Sequence, residues 1–236
     1  MRQVVILAGG EAKRLRPVTE SVPKALVKIE GKPFVDWQLE LLAKNKFSRV
    51  IFCTSYKSDM IQNYVGNGSK YGLEISFVED GEKRLGTGGA IRNAIPHLDQ
   101  EFIVMYGDSF LDINFQQVSH GFDHCSKPAM MTIYKNDGKY DNSNVKLNNR
   151  GDIFYNKENP DASFKYIDYG LIFFKREVFE ETVIGKTFDL SEMLHKLSKQ
   201  FRIAGFEVQS RFYEVGSFSG IIELETYLRK KNNVVQ

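Results

Sequence analysis

Val4-Val5-Ile6-Leu7-Ala8-Gly9-Gly10-Glu11-Ala12-Lys13-Arg14-Leu15-Arg16-Pro17, with Pro23-Lys24 close behind, is the stretch on which the fold turns. Its opening apolar run reads as a strand of the parallel, doubly buried type. The strand ends in paired glycines, which leave bare backbone N–H groups at the carboxyl edge of a sheet. Open α/β sheets bind ligands at that edge, and glycine lets the main chain approach a phosphate closely. Lys13, Arg14 and Arg16 follow at once, then Lys24. Backbone donors and convergent cations on one short loop describe a polyphosphate site. Composition alone leaves open the plain alternative, a glycine turn carrying solvated cations.

The chain has 236 residues, 42% of them hydrophobic, enough for a sizeable α/β core. It holds no apolar run of membrane-spanning length. Residues 4–8 are too short for a signal peptide and lead into Gly-Gly. A net charge of +2 without a basic stripe argues against nucleic acid as a partner. Cys53 and Cys125 show no metal-ligand spacing, and Cys53 reads as a buried reduced thiol. A cytoplasmic location is the expectation, with no membrane partner.

Strands and helices alternate through the first half. Gly31-Lys32-Pro33 makes a turn, and Val35, Leu39 and Leu42 then mark an amphipathic helix. A strand over 49–54, a short helix over 59–65 and a strand with alternating Leu73, Ile75 and Phe77 follow. Gly86-Thr87-Gly88-Gly89 opens a helix that Pro96 closes, and a strand over 102–106 ends in Gly107-Asp108. This order predicts a parallel sheet with helices on both faces. The second half is mostly strand-like, over 129–135, 144–148, 152–155 and 166–174. One helix starts at a capping box, Asp189 to Glu192, and buries Leu190, Met193, Leu194 and Leu197. A last helix carries Ile221, Leu224 and Leu228, and residues 232–236 are expected to fray. One continuous mixed sheet is expected, hence a single domain over 1–236.

Four segments call for one explanation: the glycine loop, Pro23-Lys24, the turn Leu85-Gly86-Thr87-Gly88-Gly89, and Gly107-Asp108 at a strand end. The free N–H groups of the glycine turn at a helix start suit an anion or the edge of a base. A lone carboxylate beside a phosphate site is most simply a Mg²⁺ ligand. Taken together, the pattern resembles the sugar-1-phosphate nucleotidyltransferases. Their opening Leu-Ala-Gly-Gly-x-Gly-Thr-Arg-Leu and later Pro-Lys are similar to Leu7-Ala8-Gly9-Gly10-Glu11-Ala12-Lys13-Arg14-Leu15 and Pro23-Lys24. Their nucleotide turn resembles Leu85-Gly86-Thr87-Gly88-Gly89-Ala90, and their metal-binding Gly-Asp resembles Gly107-Asp108. Their aromatic-x-Asp-x-Gly looks like Phe212-Tyr213-Glu214-Val215-Gly216. Their sugar-contacting Glu-Lys-Pro and Asn-x-Gly are similar to Asn156-Lys157-Glu158 and Asp168-Tyr169-Gly170. Ala12-Lys13 departs from the family's Gly-Thr, and a methyl at Ala12 is expected to crowd the triphosphate path.

The resemblance implies a Rossmann-like, glycosyltransferase-A-like α/β fold. It implies a nucleotide-binding half over 1–115 and a sugar-binding half over 116–236. It also implies transfer of a nucleoside monophosphate from a triphosphate to a sugar 1-phosphate, with pyrophosphate leaving. Arg14, Lys24 and Asp108 would be catalytic. Leu7, Ala8, Gly9, Gly10, Lys13, Gly86, Thr87 and Gly88 would contact nucleotide, and Lys157, Asp168 and Gly170 the sugar. Asp108 and Glu214 would hold Mg²⁺ as the cofactor. Within the family, the Leu-Gly-Thr-Gly-Gly-Ala form points to GTP with a mannose or heptose 1-phosphate. A cytidylyl- or uridylyltransferase and a non-catalytic nucleotide-sugar sensor are the alternatives. Tyr134, Tyr140 and Asp141 could edge the sugar pocket, while His97, His120, His124 and His195 read as incidental. Apolar strand edges in the second half would suit a homodimer face, which nothing in the sequence marks.

Overall fold

A computed structural model describes residues 2–234. Its centre is a nine-stranded sheet. In chain order the strands are β1 (Gln3–Leu7), β2 (Arg49–Thr54), β3 (Glu74–Glu79), β4 (Glu101–Tyr106), β5 (Ala129–Lys135), β6 (Val145–Leu147), β7 (Ile153–Tyr155), β8 (Tyr166–Lys175) and β9 (Ile203–Val208). β4, β1, β2 and β3 lie side by side and parallel. β8 then joins β4 antiparallel and carries β5 and β6 on its other side. β7 pairs with β6, and β9 runs parallel to β5.

The main helices are α1 (Phe34–Lys44), α2 (Ser58–Val65), α3 (Gly86–Ala94), α4 (Phe115–Asp123), α5 (Leu190–Lys199) and α6 (Phe218–Val234). Strand alternation sorts the apolar side chains into two layers. Val4, Ile6, Val50, Phe52, Ile103 and Met105 face α1, α2 and α4. Val5, Ile51, Cys53, Phe102 and Val104 face α3 and α5. A third cluster, built on Leu15, Ile29, Phe34, Phe110, Val215 and Leu224, ties α6 to the loop after β1.

The strand expected over 49–54 and the one over 129–135 form over those residues. The capping box of α5 forms with both of its hydrogen bonds, worth about 1 kcal/mol. Among the strands of the main sheet and the main helices, α4 and β9 were not anticipated. α6 runs on through residue 234, and residues 235–236 lie outside those described.

Candidate active site

The carboxyl ends of β1, β2 and β4 meet at a close approach of the main chain. Gly107 donates its N–H to the Leu7 carbonyl at 3.1 Å, and Ala8 donates to the Cys53 carbonyl at 2.8 Å. A Cβ on Gly107 would stand 2.2 Å from that Leu7 oxygen, so no side chain fits there. Directly beyond, Ser109–Phe110 pairs antiparallel with Tyr213–Glu214, placing Glu214 opposite Ser109. Val215 also donates its N–H to the Asp108 carbonyl at 2.8 Å. Two segments a hundred residues apart therefore deliver the Asp108 and Glu214 carboxylates to one place. Burial first, then the neighbouring Asp108 and Asp141, push the Glu214 carboxyl up to about 7, against the pull of Arg14 and Lys24.

Lys24 begins a single 3₁₀ turn, Lys24–Leu26, and donates to Asp108 Oδ2 at 2.8 Å. Arg14 sits on another such turn, Lys13–Leu15, which the buried Leu15 anchors in the third cluster. Gln38, on α1 and fully buried, donates to the Ser109 carbonyl at 2.9 Å and the Tyr106 carbonyl at 3.3 Å. It thus brackets the turn that carries Asp108.

A cavity of about 590 Å³ opens at this edge. Of the site residues read from the sequence, Leu7, Ala8, Gly9, Gly10, Arg14, Lys24, Gly86, Thr87, Asp108, Lys157, Asp168, Gly170 and Glu214 line it. Lys13 and Gly88 do not. The Lys13 side chain is exposed, with its ammonium 3.5 Å from Glu11. Gly88 packs under a ring: a Cβ there would lie 2.2 Å from Phe188 Cε2. The Gly88 and Gly89 N–H groups both donate to the Phe188 carbonyl. The start of α3 is thus capped by protein, which corrects the expectation of open N–H donors at those two positions.

The methyl of Ala12 does not crowd the cavity either. It packs against the third cluster, and the departure from Gly shows instead in the backbone, at φ 49° and ψ 51°.

At the far end, β8 is irregular between Asp168 and Ile172. Asp168 accepts the Tyr106 hydroxyl at 2.5 Å and the Gly170 N–H at 2.9 Å, and its own N–H donates to Asn144 Oδ1 at 2.9 Å. Burial raises the Asp168 carboxyl, opposed by those two hydrogen bonds and by Lys157. Lys157 also acts on Asp189, the N-cap of α5. Burial and the pull of the adjacent Asp168 and Asp189 charges raise the Tyr155 hydroxyl.

Sequence reasoning passed over several lining residues. Asp189 was visible only as a helix cap, Tyr155 and Asn144 only as strand residues. Asp80 lines the cavity where β3 ends, and its Oδ2 accepts the Leu85 N–H at 3.1 Å. A carboxylate just past a strand end is the signal that singled out Asp108, and it applies equally to Asp80. Arg84 also lines the cavity and pairs with Glu11 of the glycine loop.

The family described as nucleotidyl transferase matches residues 3–229. The chain is 26% identical over 244 residues to the N-acetylmuramate alpha-1-phosphate uridylyltransferase of Neisseria meningitidis, covering 94% of this chain and 96% of that one. It is 28% identical over 218 residues to the D-glycero-alpha-D-manno-heptose 1-phosphate guanylyltransferase of Campylobacter jejuni, covering 91% and 94%. Its fold is shared with HddC from Yersinia pseudotuberculosis, solved with GMP-PN, at a TM-score of 0.80 and 23% identity, covering 97% of this chain and all of that one. The likeness carried by the glycine loop thus extends along almost the whole sequence, and the chain belongs to the nucleotidyl transferase family.

Proposed function

We propose that the protein transfers a nucleoside monophosphate from a triphosphate to a sugar 1-phosphate, releasing pyrophosphate, with GTP and a mannose or heptose 1-phosphate as substrates. The observation that carries the reading is one cavity lined by Arg14, Lys24, Asp108 and Glu214 together, with Lys24 paired to Asp108. Relatives named as heptose 1-phosphate guanylyltransferases, from Campylobacter jejuni and Aneurinibacillus thermoaerophilus, support the choice of base and sugar. Phosphoryl-type transfer asks the protein for positioning and charge stabilisation rather than covalent chemistry.

Arg14 neutralises charge on the triphosphate and the departing pyrophosphate. Lys24 has three N–H donors; one is held by Asp108, which leaves two for the attacking phosphate and the α-phosphate. Leu7 to Gly10 offer backbone at the strand edge, and Gly86 and Thr87 face the base. Lys157, Asp168 and Gly170 take the sugar.

Asp108 and Glu214 suit Mg²⁺. Two adjacent carboxylates, one raised by burial and by the other's charge, form a donor set that a hard dication would neutralise. When bound, the ion supplies positive charge to the phosphate oxygens. A cytoplasmic setting fits these substrates, and among the described residues no helix is long and apolar enough to cross a membrane.

Pyrophosphate release with Mg²⁺, scanning GTP, CTP, UTP, ATP and dTTP against sugar 1-phosphates, tests the reading. Arg14→Ala and Asp108→Asn are each expected to lower kcat/KM about a hundredfold or more. Unchanged turnover in either variant would remove that residue from the site.

A further inference from the structure

The sugar-facing end of the cavity carries an unbalanced charge. Asp168 and Asp189 line it, and Lys157 is the one cation among the described residues there. The other lining cations stand elsewhere: Lys24 pairs with Asp108, Arg84 pairs with Glu11, and the Arg14 guanidinium lies against Gly216.

A second observation concerns Tyr155. The residue is 4% exposed and lines the same end. Its hydroxyl feels the charges of both Asp168 and Asp189, yet it has no hydrogen-bond partner among the described residues, whereas its backbone carbonyl meets the His195 ring at 2.7 Å. The ring is buried while the hydroxyl opens on the cavity, free to pair with a ligand there. Asp168 already accepts the Tyr106 hydroxyl and the Gly170 N–H, and Asp189 the Ser191 N–H, and both keep further lone pairs.

We infer that this end selects a sugar 1-phosphate whose ring substituents are hydroxyls or an amine, and rejects one that carries a carboxylate. Sugar hydroxyls donate to Asp168 and Asp189, and Tyr155 supplies the matching hydroxyl. An acid group there would face the Asp168 and Asp189 carboxylates, with Lys157 alone to offset them. Like charges so placed are strongly disfavoured. This inference rests on the nucleotidyltransferase reading and names the class of sugar.

The test measures kcat/KM with the best triphosphate on mannose, glucose and glucosamine 1-phosphates and on N-acetylmuramate and glucuronate 1-phosphates. The carboxylated pair is expected to fall about a hundredfold or more below the best of the others. Asp168→Asn should narrow that gap about tenfold, by raising turnover of the carboxylated sugars relative to the neutral ones; a merely structural Asp168 would depress both alike. Tyr155→Phe should raise KM for the sugar and leave KM for the triphosphate unchanged. A carboxylated sugar used as well as the neutral ones overturns the inference and leaves the enzyme intact. Pyrophosphate release with none of the five, nor with a heptose 1-phosphate, overturns the enzyme reading and this inference with it.

Discussion

Ala12 holds a left-handed backbone, φ 49° and ψ 51°, in the middle of the phosphate loop. An L-residue pays roughly 1–2 kcal/mol for that conformation, which glycine adopts freely. The strain persists because the loop fixes it: the Ala12 carbonyl accepts the Leu15 N–H at 2.9 Å and the Thr19 hydroxyl at 3.0 Å. Ala12→Gly should therefore stabilise the protein, by up to about 1 kcal/mol once glycine's extra unfolded-state freedom is deducted. In a chain of this size that raises Tm by up to about 4 °C. A lower midpoint in thermal or urea unfolding would show that the loop is not strained there. The departure from Gly was plain in the sequence, and its consequence was not. The sequence suggested a steric clash with phosphate, because which way a methyl points depends on backbone dihedrals that no motif states.

Among the elements, those that rest on local pattern were legible and those that rest on distant partners were not. β1, β2 and β4 announce themselves as apolar runs, and α5 by its capping box. α4 carries Phe115, Val118 and Phe122 at helical spacing behind an Asn114 cap, but Gly121 interrupts it. β9 reads Ile-Ala-Gly-Phe-Glu-Val, with small residues where a strand wants branched ones. The two puzzles share an answer, since the Phe206 ring of β9 sits where a Cβ on Gly121 would be, 2.6 Å away. Tertiary packing chose the glycine.

Gln38 is a parallel case on α1. Alone it looks like a polar residue on the wrong face, and only the fold shows its amide bridging two carbonyls around Asp108. Gln38→Met keeps the volume and removes both donors. The Mg²⁺ concentration for half-maximal activity is expected to rise about tenfold or more, as for other groups that orient a metal ligand. KM for the sugar phosphate should stay near its original value. A loss of stability with no change in the Mg²⁺ titration would make Gln38 a core residue only.

At the scale of the molecule, the cavity draws its lining from both ends of the sequence. Gly9 and Gly10 come from the first loop, Asp168 from β8 and Glu214 from just before α6. The nucleotide side was readable because it lies in compact motifs on the parallel strands. The sugar side was readable only in part, because Asn144, Tyr155 and Asp189 converge from three separate segments of the second half. A ligand that bridges such distant segments should stabilise the whole fold, since it binds the native state and not the open chain. At a hundred times its Kd the stabilisation is about 2.7 kcal/mol, or roughly 5–10 °C in Tm for a chain of this length. The productive triphosphate with Mg²⁺ is expected to give that shift, and the same triphosphate with EDTA a smaller one. Asp108→Asn should reduce the Mg²⁺ response to the EDTA level while keeping the metal-independent part, because the glycine loop and Arg14 remain. Equal shifts with and without Mg²⁺ in the parent protein would mean that Asp108 and Glu214 are not held together by a cation, and the pair would then serve the fold through its ladder with Ser109–Phe110 alone.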